Sequence, residues 1–239
     1  MALILNLETA TSVCSVALSK DGKVIGLKEI NNGYTHAENL TGFIQSVLNE
    51  TGHVLNDVDA VAVSKGPGSY TGLRIGVATA KGICYGTGKP LIGVDTMRSF
   101  TYLVQSLTFK VQRLENAISG KELYCPMIDA RRMEVYCAVY DRDLNCMEPV
   151  QAKVIDGDSF SVLLNSGKVF FFGDGAMKCR EVLGAHPNAV FIENASLSAS
   201  GMAPFSEKAF GQKGFEELAY FEPFYLKDFV STGTRIHTG

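Results

Sequence analysis

The sequence predicts an α/β protein of two tandem domains, each a mixed sheet with helices on its faces. Three observations carry that expectation. Residues 4–10 (ILNLETA) and 125–131 (CPMIDAR) each read as an apolar strand that ends in a carboxylate and turns at once into a two-strand meander. After each meander, helical and strand patterns alternate, which builds a sheet with covered faces. The 239 residues, 46% of them hydrophobic, suffice to fill the cores such a chain needs. The expected division is 1–100 and 101–239.

The elements follow in order. Residues 2–7 form a buried strand and 12–19 a second, carrying Val13, Cys14, Val16 and Leu18. Asp21-Gly22 is a hairpin turn that feeds a third strand through Val24, Ile25 and Leu27. Thr35 and Glu38 have capping-box spacing, the hydroxyl and the carboxylate each meeting an exposed backbone N–H. Leu40, Phe43, Ile44, Val47 and Leu48 then recur at helical spacing, one apolar stripe of a helix that Gly52 ends. Residues 58–64 are short, β-branched and apolar, the pattern of a buried parallel strand. A glycine loop over 66–71, a helix over 72–85, a strand over 90–94 and a helix capped by Asp95 that runs to about Leu107 complete the first half.

The second half restarts with strands at 123–128, ending at Asp129, and at 134–140. Asp141-Arg142-Asp143 turns into a third strand near 145–148. A helix near 158–164, a strand at 168–172, a Gly-Asp-Gly turn and another helix follow. Phe215, Tyr220, Phe221, Phe224 and Tyr225 mark a terminal arm in which Pro223 breaks any long helix, and 231–239 read as a frayed end.

Composition narrows the function. Lys and Arg total 22 against 25 Asp and Glu, a net charge of -3. The densest basic run is Arg131-Arg132, too little to grip nucleic acid alone, so any such contact is expected through a partner. The opening residues lack a basic n-region and meet Glu8 early, unlike a signal peptide, and no apolar stretch nears the roughly 18 residues of a membrane span. Six cysteines without a CxxC read as buried thiols in a reducing compartment. A cytoplasmic protein with no membrane contact is expected.

Several motifs could carry chemistry. The strand-end acids Glu8 and Asp129 could position a metal or a water, or simply finish a hydrated hairpin. The loop Gly66-Pro67-Gly68-Ser69-Tyr70-Thr71-Gly72 opens a helix, where backbone N–H groups can cradle an anion, yet a structural turn fits equally. Its spacing is not GxGxxG, and Lys89 is followed by Pro90, so neither familiar nucleotide motif is present. Gly173-Asp174-Gly175 could touch a nucleotide from the second domain or be a plain strand-to-helix turn. Together Glu8, Gly66, Gly68, Asp129, Gly173 and Gly175 outline a possible vestigial nucleotide cleft.

Gly72, Gly76 and Ala80 recur every four residues along one helix face. Glycine inside a helix costs about 1 kcal/mol relative to alanine, so something must approach closely there. That partner is either the chain's own core or a helix of another protein, and the second is the favoured expectation. His36, His53, His186 and His237 include no i, i+4 pair for zinc, and His36 is expected as a solvated first-turn residue. No GxSxG occurs, and no catalytic or metal-binding constellation is found.

Residues 4–18, the segment GPGSYTGLRIGVATAKG at 66–82 and IDARRMEVY at 128–136 resemble the TsaB family, the dimerisation subunit of the bacterial tRNA threonylcarbamoyladenosine machinery, once called YeaZ or glycoprotease-like. The resemblance implies two tandem ribonuclease H-like domains of the actin, sugar-kinase and Hsp70 group. It also implies that this chain is not the catalyst. A TsaD-like subunit, with a metal-binding His pair and an ATP site, would carry the reaction, and a TsaE-like ATPase would join the pair. The chain would bind no cofactor, while the complex uses ATP and a divalent metal, and tRNA would be met only through the complex. Alone, the chain would form a homodimer. Pairing would run through the first two helices, 38–50 and 72–85, with Leu40, Phe43, Ile44, Val47, Gly72, Leu73, Gly76 and Ala80 as candidate interface positions. Glu8 departs from the Asp of many relatives, which weakens a nucleotide or metal role for the first strand. An ATP-binding enzyme of the kinase-like group, with its site in the interdomain cleft, is the alternative reading. A peptidase, as the old family name suggests, is a third.

Overall fold

A computed structural model describes residues 2–31, 36–112 and 122–227. Strands β1 (Leu3–Glu8), β2 (Val13–Lys20) and β3 (Lys23–Asn31) form an antiparallel meander. Asp21 and Gly22 at its first hairpin both have positive φ, 53° and 71°, as a tight two-residue turn requires. Helix α1 (His36–Thr51) leads to β4 (Ala60–Ser64), which pairs parallel with β1. Gly52, at φ 72°, ends α1 as expected. The expected cap residue Thr35 lies outside the described residues. Helix α2 (Tyr70–Thr87), β5 (Leu91–Val94) and α3 (Thr96–Gln112) follow. Asp95 caps α3 as expected, its carboxylate accepting the Arg98 N–H at 2.9 Å.

The second half repeats the program. Strands β6 (Glu122–Asp129), β7 (Glu134–Tyr140) and β8 (Cys146–Val154) form a second meander, followed by α4 (Ser161–Ser166), β9 (Lys168–Phe172), α5 (Arg180–Leu183), β10 (Ala189–Ile192) and α6 (Ala203–Gly211). The sheets run β3-β2-β1-β4-β5 and β8-β7-β6-β9-β10, with matching parallel and antiparallel pairings. The duplication seen in the sequence is therefore a duplication of topology, two ribonuclease H-like lobes.

Three local expectations need correction. The helix near 158–164 begins later, because Phe160 sits in left-handed backbone at φ 63° and cannot join a right-handed helix. The helix after Gly175 is a 3₁₀ turn at Met177–Cys179 followed by a single turn of α5. Strand β10 and helix α6 were not foreseen; the Pro204 at the start of α6 is a helix-opening signal that the sequence did offer.

Each sheet is covered on both faces, which explains why β1 and β4 read as unbroken apolar runs. Leu3, Leu5 and Leu7 face α1 and α2, packing with Leu40, Val47, Val77 and Ala80. Ile4 faces the other way, toward Ala199, Met202 and α6. That second cover comes from the far end of the chain, while α3 packs its Met97, Phe100 and Val104 on the second sheet. Phe100 meets Phe172 edge-on with ring centroids 5.0 Å apart. The lobes thus exchange helices, and position 100 falls within α3.

The terminal arm is also packed. Glu216 donates its N–H to Leu91 O at 2.8 Å, and Phe224 does the same to Lys65 O at 2.6 Å. Lys81 Nζ grips the carbonyls of Ala219 and Phe221 at 3.1 and 3.2 Å. The expected frayed end at 231–239 lies outside the described residues.

Candidate functional site

The candidate residues gather in two places, a groove between the lobes and the pair α1–α2. The groove encloses about 610 Å3. The first lobe supplies the β1–β2 turn, the loop from Pro67 to Ser69 and the start of α2; the second supplies Asp129, Arg131 and Asp174. Tyr225 and Lys227 of the arm complete the wall, with the Tyr225 ring 4.8 Å from that of Tyr70.

Of the six expected cleft residues, Gly68 and Asp129 line this groove. Asp129 is already engaged: Lys178 Nζ donates to its carboxylate, and so does the Arg131 N–H at 2.7 Å. Gly173 lines a smaller neighbouring cavity of about 350 Å3 together with Asp174. Gly66 and Gly175 are buried, the first against the Phe224 carbonyl and the second against the backbone of Ile128 and Asp129.

Glu8 stands apart from the groove, a correction with a clear cause. It continues the Ile4 and Asn6 face of β1, and that face lies beneath the 3₁₀ turn at Ala199–Met202. The side chain is 0% exposed. One carboxylate oxygen accepts from the Ala10 N–H at 2.7 Å and the Ser64 hydroxyl at 2.8 Å. The other has no partner among the described residues. Burial pushes this carboxyl up to about 7, against the pull of those donors.

The glycine loop makes its close approach to the chain itself. The Ser69 N–H donates to Ala10 O at 2.6 Å, and the Ser69 hydroxyl caps α2 by accepting the Gly72 N–H at 3.3 Å. A Cβ on Gly68 would fall within 3.0 Å of Ala10, and one on Gly72 or Gly76 within 3.0 Å of Thr9. The β1–β2 turn therefore plugs into the bare face of α2. Seven of the eight expected interface positions, Leu40, Ile44, Val47, Gly72, Leu73, Gly76 and Ala80, are buried inside this chain. Phe43 alone is half-exposed, resting on the first core. The expectation that this small-residue stripe meets another protein is corrected: its partner is Thr9.

His36 is corrected as well. It is 1% exposed, and its Nε2 donates to Thr11 O at 2.7 Å, which fixes the proton on that nitrogen. Burial lowers its pKa, opposed by that hydrogen bond. The side chain ties the start of α1 to the β1–β2 turn, and its ring also backs Gly72.

Sequence reasoning missed a second small stripe. Ala78, Gly82 and Gly86 also recur every four residues on α2, and all three are exposed. Nothing lies within 4 Å of a Cβ built on Gly82, Gly86 or, on α1, Gly42. Tyr85, in the same stretch of α2, is 86% exposed. A helical-wheel plot of α2 would have shown two distinct stripes, their midpoints about 120° apart, without saying which points outward. Also missed was the left-handed backbone of the expected β6–β7 turn, where Arg131 and Arg132 hold φ 71° and 48°. Left-handed backbone costs about 1–2 kcal/mol for each such L-residue.

Among the described residues, no group of three or more His, Cys, Asp or Glu is placed to hold a metal ion, and no helix is long and apolar enough to cross a membrane.

Comparison with known proteins adds the following. Residues 33–229 match the profile of the family described as TsaD, tRNA N6-adenosine threonylcarbamoyltransferase. The tRNA threonylcarbamoyladenosine biosynthesis protein TsaB of Escherichia coli K12 is 32% identical over 236 residues, covering 95% of this chain and 96% of that protein. The protein of the same description from Haemophilus influenzae is 35% identical, covering 95% and 94%. A crystal structure from Pseudomonas aeruginosa, described as similar to the peptidase YeaZ, superposes with a TM-score of 0.74 at 25% identity, covering 95% of this chain and 100% of that one.

Proposed function

The chain belongs to the TsaB family of tRNA threonylcarbamoyladenosine biosynthesis proteins, and from that premise we propose that it is a non-catalytic subunit that binds and activates a TsaD-like transferase. The observation that carries this reading is the outward stripe Ala78, Gly82 and Gly86 on α2, together with the likewise open Gly42 of α1. A helix face without side chains is costly when left to solvent, and it allows a second helix pair to approach backbone to backbone. The chain also matches the transferase profile over most of its length, so a partner of like fold can present an equivalent helix pair, and two like folds pack readily about a pseudo-twofold axis. In this reading the same surface lets the chain pair with a second copy of itself when no partner is present. A TsaE-like ATPase completes the assembly in this reading, and the ATP and divalent metal belong to the partners.

Two measurements test it. Threonylcarbamoylation of tRNA is followed with the TsaD-like and TsaE-like proteins, with and without this chain. Product that forms only in its presence, and never from it alone, supports an activating subunit; formation unaffected by omission sinks the reading. Gly82→Trp should abolish pairing with the transferase in size-exclusion light scattering without lowering the melting temperature. Intact pairing would move the interface elsewhere.

A further inference from the structure

We propose that the β6–β7 turn is an RNA-backbone contact, in which Arg131 and Arg132 pair with phosphates of the tRNA. The proposal rests on the reading that the chain works beside a transferase, and it gives the chain its own share of the RNA surface.

The turn is closed by the Glu134 N–H donating to Arg131 O and the Ala130 N–H to Glu134 O, both at 3.1 Å. Arg131 and Arg132 both lie in left-handed backbone, which Asn and Gly adopt at less cost than Arg. Both side chains are exposed, and Arg131 reaches the groove wall. The carboxylates on the strands that flank the turn are already balanced, Asp129 by Lys178 and Glu134 by Lys227. Among the described residues, neither Arg131 nor Arg132 forms an ion pair. Among the described residues that line the groove, Asp174, which accepts the Asp129 N–H, is the one further acid, and the two guanidinium groups of the turn, of which Arg131 lines the groove, outweigh it.

Across the groove, the N-terminal end of the 18-residue α2 adds positive potential of the same sign. Tyr70 and Tyr225 line the same groove, their rings 4.8 Å apart and the Arg74 guanidinium over that of Tyr70. Guanidinium forks match the paired oxygens of a phosphodiester. A net charge of -3 rules out a broad electrostatic grip by this chain, so the turn supplements a surface supplied by the partner.

The experiment measures binding of unmodified tRNA to the assembled pair by fluorescence anisotropy, between about 50 and 200 mM salt. The double variant Arg131→Asn, Arg132→Gly removes both charges while giving the turn its preferred residues. It should melt no lower than the parent, weaken tRNA binding by about tenfold or more, and cut the slope of log K against log salt by about 1.4–1.8. Arg131→Lys with Arg132→Lys should keep the slope. A merely structural turn predicts a stabilised protein with unchanged affinity and slope, and that result overturns the proposal. If the pair does not assemble in light scattering, the function reading falls instead. The proposal, which rests on that reading, then falls with it, whereas unchanged affinity and slope in an assembled pair overturn the proposal alone.

Discussion

The side chain of Thr9 occupies the space that a Cβ on residue 76 would need, with Oγ1 within 3.0 Å of that position. The tip of the first hairpin and the helix that follows the glycine loop are thus fitted together by the absence of one methyl group. Because Thr9 is fully buried at the end of β1, it has no room to withdraw.

Opposite responses follow for two glycines of the same helix. Gly76→Ala should destabilise the protein by about 1–3 kcal/mol through overpacking against Thr9. Gly82→Ala, facing open space, should stabilise it by up to about 1 kcal/mol through helix propensity. Urea denaturation of both variants checks this, and a neutral Gly76→Ala would contradict the packing described.

Glu8 makes stability depend on pH in an unusual direction. Its carboxyl is raised from 4.5 to about 7 by burial, so the folded state holds a proton that the unfolded chain releases first. Stability from this group is therefore full below about pH 4.5, declines as pH rises toward 7, and is level above. Glu8→Gln removes the ionisation, and at pH 8 it should gain up to about 3 kcal/mol over the parent. At pH 4.5 that advantage should vanish. Melting curves of parent and variant across this range decide it; an equal difference at both pH values would mean that ionisation is not the cause.

His36 acts in the reverse sense. Its folded pKa is lowered, so its contribution is full above about 6.5 and fades as pH falls and the unfolded chain takes up the proton. In His36→Asn, stability should fall less than in the parent between pH 7 and 5. Parallel curves for the two proteins would count against this assignment.

Thiol reactivity should single out one cysteine. Cys146 is exposed, whereas Cys14, Cys84, Cys125, Cys137 and Cys179 are buried, and burial pushes Cys14 and Cys84 up to about 11. A native-state titration with an aromatic disulfide reagent should show one fast thiol that Cys146→Ser removes. Several fast thiols would mean that the cores open readily.

The arm protects a sheet edge. Ending the chain after Gly214 removes the Glu216 contact with Leu91 and leaves the outer edge of β5 unpaired. The shortened protein should lose stability in urea and aggregate on warming, as light scattering would register. Unchanged behaviour would make the arm dispensable to the fold.

Much of the fold was legible because its signals are local. The Asp21-Gly22 turn, the Asp95 cap and the apolar runs of β1, β4 and β9 depend on neighbours in sequence, and each stands where expected. Of the two elements that were missed, β10 and α6, the helix owes its place to the first sheet, some two hundred residues earlier in the chain. The left-handed backbone at Phe160, Arg131 and Arg132 was also hidden, since none is a residue type that favours it.

The sequence by itself determined that the chain is a duplicated α/β protein, that it resembles one family of tRNA-modification subunits, and that α2 is built of small residues. It could not say which side of α2 faces out. Gly72, Gly76 and Ala80 recur with the same period as Ala78, Gly82 and Gly86, so periodicity treats the two stripes alike. Only the tertiary structure decided between them. The β1–β2 turn brings Thr9 against the first stripe, and once that face is filled by the chain's own backbone, the second is the one left to solvent.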